Sequence, residues 1–116
     1  MSHDTPVSAP RLPTPSGACD THLHIYEPGY DMRASASHPS QPGTLAHYQG
    51  IQKRLGLARA VIVQPSAYGT DNNCTLEAMG KLGDAARGVA IVDPAAPDSE
   101  FERLNRDIAA YNSQVK

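Results

Sequence analysis

The sequence predicts an α/β fold of three βα units with parallel strands. Three observations support this. Short apolar runs suited to strands occur at residues 18–25, 60–64 and 89–92. Each is followed by a stretch whose apolar residues recur at helical spacing. Helices placed between consecutive strands act as crossovers, which makes the strands parallel and the connections right-handed.

The elements follow in order. Residues 1–16 are rich in Pro, Ser and Thr and predict a disordered N-terminal arm, with one ordered domain from 17 to 116. In ACDTHLHI, residues 18–25, alternation sets Cys19, Thr21, Leu23 and Ile25 against Ala18, Asp20, His22 and His24. Residues 26–43 hold Pro28, Gly29, Pro39, Pro42 and Gly43 and predict a long loop. Thr44 is a candidate N-cap for a helix carrying Leu45, Tyr48, Ile51 and Leu55, with Gly56 as its C-cap. Ala60 to Gln64 reads as a strand buried on both faces and stopped by Pro65. Asp71 or Asn72 caps a second helix with the stripe Leu76, Met79, Leu82 and Ala86. Gly88 leads into a third buried strand, Val89 to Val92, stopped by Asp93-Pro94. Ser99 and Glu102 match a capping box. The last helix then carries Phe101, Leu104, Ile108 and Tyr111. No repeat and no dividing linker is visible.

Net charge is −2 over 116 residues, which leaves no footprint for nucleic acid or an anionic membrane surface. The first ten residues lack the apolar core of a secretory signal, and no run reaches the ~20 apolar residues of a membrane span. Cys19 and Cys74 read as reduced thiols, and the expected location is cytoplasmic. Gly80 and Gly83 fall in a helix, so they make no phosphate loop, and no nucleophile elbow surrounds a serine.

The chemistry concentrates in Asp20-Thr21-His22-Leu23-His24. Two histidines two residues apart on a strand share a face, with Cα atoms roughly 6–7 Å apart. Their imidazoles can converge on one ion or on one substrate carbonyl. Asp20 is placed to orient a histidine, as carboxylates behind metal-binding or catalytic imidazoles do. The bland alternative is a pair of surface histidines on an edge strand. In a parallel sheet the C-terminal strand ends share one edge, and ligands bind there. That edge would also hold Gln64, Ser66, Tyr68 and Asp93. Gln64 and Ser66 could instead bond loop backbone, Tyr68 could pack, and Asp93 reads first as a turn former.

GACDTHLHIY, then ARAVIVQPSAYGTDN, then ARGVAIVDP resemble the amidohydrolase-related family over residues 17 to 106. Within it the likeness is to the branch of 2-pyrone-4,6-dicarboxylate lactonases and D-galactarolactone isomerases. The resemblance implies the first three βα units of a (β/α)₈ barrel, an incomplete barrel, since a whole one needs ~250 residues. It implies a hydrolase acting on a lactone or similar small carboxylated substrate. His22 and His24 would polarise the carbonyl, or hold one divalent metal such as zinc or manganese; the lactonase branch is expected to manage without one. Gln64, Ser66 and Tyr68 fall where family members contact substrate. The family's general base is an Asp on the last barrel strand, and no matching segment is present. After Asn105 the family turns into a fourth strand, where this sequence runs RDIAAYNSQVK. Two other readings are a truncated, non-catalytic fragment that self-associates through its open sheet edge, and a metal-dependent decarboxylase of the same superfamily.

Overall fold

The computed structural model describes residues 8–33 and 43–113, with side chains to residue 110. Six main elements follow one another: β1 (Cys19–Leu23), α1 (Leu45–Leu55), β2 (Arg59–Val63), α2 (Asn73–Leu82), β3 (Ala86–Val89) and α3 (Asp98–Ser113). Single 3₁₀ turns sit at Ser66–Tyr68 and Gly83–Ala85. The strands form one sheet in the order β1-β2-β3, parallel throughout. The α/β class and the alternation of elements are as the sequence predicts.

Helix α1 matches its sequence signals residue for residue. The Thr44 side chain accepts from the N–H of His47, and Gly56 ends the helix at φ 71°. The N–H of Leu57 reaches the carbonyl of Gln52 and that of Gly56 reaches Lys53, the paired bonds of a Schellman end. Only a residue that tolerates positive φ fits there. Thr14 Oγ1 donates to the Leu55 carbonyl at 2.5 Å, so the chain before β1 lies across the end of α1.

The core gathers Ile25 and Ile62, both fully buried, with Leu45, Tyr68, Cys74, Leu76, Ala78, Met79 and Ala86. Leu104 and Ile108 of α3 pack against it. The predicted Tyr111 side chain lies outside the described residues, as do 34–42 of the predicted loop.

Several boundaries differ from expectation: β1 is Cys19–Leu23 rather than residues 18–25, so His24 lies just past it, and β2 is Arg59–Val63 rather than Ala60–Gln64. The third strand is Ala86–Val89 rather than Val89–Val92, and Ala86 pairs with Ala60 instead of extending the stripe of α2. Strand β2 ends at Val63, so residues 90–92 have no strand to pair with. The Asn72 amide takes over, accepting from the Ile91 N–H at 3.0 Å and donating to its carbonyl at 2.9 Å. Gly88 sits inside the strand opposite Ile62 because α2 presses on it: a Cβ there would lie 2.3 Å from Met79 Sδ. Nor is β3 buried on both faces. Only Ala86 is buried, and Val89 is 50% exposed, because β3 is an edge. The capping-box expectation also fails: helix α3 starts at Asp98, which puts Ser99 within it.

Candidate active site at the C-terminal strand edge

Strand β1 does not run evenly beside β2. Asp20 pairs with Ala60 and Leu23 with Ile62, so three steps on β1 match two on β2. This bulge falls on Thr21 and His22. A bulge bends its strand and changes which way side chains project. Simple alternation, which put Asp20 beside both histidines, therefore breaks at the motif itself.

His22 and His24 do come together. Their ring centroids are 5.1 Å apart and the planes are near perpendicular, at 87°. Both are exposed at the strand end. His24 Nδ1 lies 2.8 Å from the Val63 carbonyl at the end of β2. A carbonyl only accepts, so Nδ1 carries the proton. In the neutral ring this leaves the lone pair on Nε2 for a substrate, proton or ion.

The Asp20 carboxylate bonds to neither ring. Its Oδ1 accepts from the backbone N–H of His22 at 3.3 Å, and its Oδ2 accepts from the Tyr48 hydroxyl at 3.1 Å. The expected carboxylate–imidazole contact is thus replaced by a backbone contact. Burial, then the Asp20 carboxylate, pushes the Tyr48 phenol well above its usual value of 10.0. Tyr48 therefore stays a donor throughout the neutral range.

The β2 end is braced internally. Gln64 is 3% exposed. Its amide donates to the carbonyls of Gly69 (3.0 Å) and Asp71 (2.8 Å) and accepts from Thr75 Oγ1 (2.6 Å). That is the backbone-bonding role the sequence left open for it. Ser66 is exposed at the start of the 3₁₀ turn, and its carbonyl accepts from Gly69. Tyr68 is 4% exposed and closes a two-way bond with Glu27, donating to its carbonyl and accepting from its N–H, both at 3.2 Å. Burial raises its phenol, and burial likewise raises the Cys74 thiol. Asp93 is a turn former, accepting from the Ala95 N–H at 2.9 Å.

Sequence reasoning missed Glu27 and the aromatic row. The Glu27 carboxylate accepts from the Leu45 N–H at 2.7 Å, where an unpaired amide and the helix dipole both favour an anion. No local pattern marks Glu27, because its partner is 18 residues away. The rings form a row: His24 to Tyr26 at 6.5 Å, Tyr26 to Tyr68 at 5.7 Å, Tyr68 to Tyr30 at 6.0 Å. Tyr30 donates in turn to Glu77 of α2.

The amidohydrolase family profile matches residues 19–112. The chain belongs to the amidohydrolase family. Among curated relatives, a 2-pyrone-4,6-dicarboxylate hydrolase of Comamonas testosteroni is 33% identical over 100 residues, 84% of this chain and 33% of that protein. A D-galactarolactone isomerase of Agrobacterium fabrum is 36% identical over 100 residues, 84% of this chain and 34% of that protein. A crystal structure from Agrobacterium tumefaciens, in its apo form, superposes with a TM-score of 0.74 at 31% identity, over 88% of this chain and 37% of its own. This amidohydrolase chain therefore spans about a third of the length of the curated relatives it matches. Its three parallel strands correspond to three βα units of an incomplete barrel.

A divalent metal in this amidohydrolase would need more donors than the two imidazoles. Zinc takes four ligands, three or four of them from protein. Among the described residues no group of three or more His, Cys, Asp or Glu gathers. Asp20, the nearest carboxylate in sequence, is bound to Tyr48 and the His22 N–H. The described residues do not by themselves fit a metal site. No helix among them is long and apolar enough to cross a membrane.

Proposed function

We propose that this chain supplies the carbonyl-polarising half of a lactone-hydrolysing amidohydrolase site. The observation that carries the reading is the paired rings of His22 and His24, with His24 Nε2 freed by the bond from Nδ1 to Val63. With Nδ1 bonded to Val63, His24 donates to a lactone carbonyl from Nε2 only in its doubly protonated form, and that donor stabilises the oxyanion that forms as water attacks. The ring C–O bond then breaks, giving a hydroxy acid. The base that takes the proton of that water comes from a barrel segment outside these three βα units. The relatives' substrates support a small carboxylated lactone. Ser66, exposed on the same edge, is the candidate second-strand contact. Gln64 and Tyr68 shape the site from behind.

The test incubates the purified chain with a lactone panel that includes 2-pyrone-4,6-dicarboxylate, with and without added zinc or manganese. The Comamonas testosteroni hydrolase serves as positive control. Slow turnover above the buffer rate is expected, reduced roughly a hundredfold by His22→Ala or His24→Ala. No turnover by this chain, while the control consumes the panel, removes the reading.

A second reading has its own observation. Strands β1 and β3 are both sheet edges, and Arg87, Gly88 and Val89 of β3 are exposed in succession. Such an edge presents unpaired backbone groups to another chain. If self-association is this chain's role, size-exclusion chromatography finds a concentration-dependent oligomer. A monomer with exchange-protected β3 amides rules that out.

A further inference from the structure

Neither the family nor the paired rings explain why a tyrosine of α1 is bonded to the aspartate of the histidine motif. Tyr48 lies one turn into α1, and the bond from its N–H to the Thr44 carbonyl at 3.0 Å fixes it to the helix start. Thr44 in turn caps that start, as does Glu27 through Leu45. Its ring packs against the core while its hydroxyl reaches Asp20 Oδ2. The other oxygen of Asp20 holds the N–H of His22, the residue at the bulge.

We propose that Tyr48 and Asp20 are a positioning pair: the Tyr48 hydroxyl fixes the Asp20 carboxylate, which fixes the His22 backbone at the bulge and so keeps the His22 ring against His24. The path runs from helix cap to phenol to carboxylate to strand backbone to ring. It contains no carboxylate–imidazole contact, which separates it from the usual way an aspartate tunes a histidine. Its catalytic meaning rests on the proposed role of the ring pair. Its geometric content does not.

Two features make the assignment specific. A bulged strand has lost regular pairing at the residues concerned, so its shape must be held by something other than the ladder. A side-chain oxygen accepting from the N–H two residues on is such a hold, but it competes with other local conformations unless the side chain is itself fixed. Tyr48 does the fixing, from a different element 28 residues along the chain.

The test uses the whole 116-residue chain and imidazole NMR, with no need for turnover. In the parent chain, protons of the two rings cross-relax strongly and the His22 amide is protected from exchange. In Asp20→Ala the His22 amide exchanges roughly tenfold faster, as loss of a charged acceptor implies, and the ring–ring cross-peaks fade. Asp20→Asn keeps an acceptor oxygen for His22 and a polar partner for Tyr48, and it restores both signals. Tyr48→Phe keeps the packed ring and loses only the hydroxyl. It gives an intermediate loss, and it reports even if Asp20→Ala does not fold. Unchanged cross-peaks and unchanged His22 protection in Tyr48→Phe overturn the pair. A dead lactone panel with these NMR changes intact removes the hydrolase reading and leaves the positioning pair standing. The reverse result removes the pair alone.

Discussion

The end of β2 and the end of β3 lie side by side in one sheet, yet they are built differently. After β2, Gln64, Pro65, Ala67 and Tyr68 are buried, and side-chain bonds from Gln64 and Tyr68 lock the turn. After β3, residues 92–95 are exposed, and the segment is held mainly by the Asn72 amide and the Asp93 turn. The central strand has neighbours on both sides and helix α2 above it. The edge strand has neighbours on one side only. Burial in this sheet follows the number of packed neighbours rather than local apolarity, since Val89 to Val92 are as apolar as Ala60 to Val63. The candidate histidines belong to the other edge strand, where His24 is tied to the last residue of β2.

Substitutions on the two strands test that contrast. Ile62→Ala, at a fully buried position in the central strand, should cost about 2–5 kcal/mol in denaturant unfolding. A cost near that of a surface substitution would show that the centre is no better packed than the edge. Gly88→Val should cost about 1–3 kcal/mol, because the new side chain meets Met79 while the strand itself stays exposed. Met79→Ala added to it should recover part of that loss, which locates the clash on the α2 side.

Alkaline pH probes the buried phenols and thiol. Tyr48, Tyr68 and Cys74 all have ionisations raised above their usual values of 10.0, 10.0 and 9.0, chiefly by burial. Below about pH 8 all three are protonated in folded and unfolded chain alike, and their contribution to stability is fully present. As pH rises further the unfolded chain ionises first, so stability is lost progressively. The melting temperature should fall from about pH 8 upward, and less steeply in Tyr48→Phe. A flat profile to about pH 11 contradicts the burial of these groups. The smallest effect belongs to α3. Arg103 bridges Glu100 at 3.3 Å and Asp107 at 3.2 Å on an exposed face, so Arg103→Ala should change stability by less than about 1 kcal/mol.

The candidate site was legible in part. That His22 and His24 share a strand end could be read from their spacing, and the parallel order placed the β2 turn beside them. The bulge was not legible. It depends on the register with β2, which side-chain pattern does not encode, and it sent Asp20 to Tyr48 instead of to a ring. In the sequence Tyr48 is one more member of an apolar stripe. A tyrosine in such a stripe carries a hydroxyl that needs a partner when buried, and that is the clue the pattern held. Gln64 and Tyr68 were placed at the right edge, but their polar atoms are already used by the loop.

Sequence alone determined the three βα units, the ends of α1 and the family, because caps, turn residues and periodic apolar positions act through neighbours a few residues away. Tertiary structure decided where β3 begins, which groups Asp20 and Glu27 bind, and how the two imidazoles meet. Each of those rests on contacts between segments 18 to 41 residues apart, or on a neighbouring strand coming to an end, and no local preference carries that information.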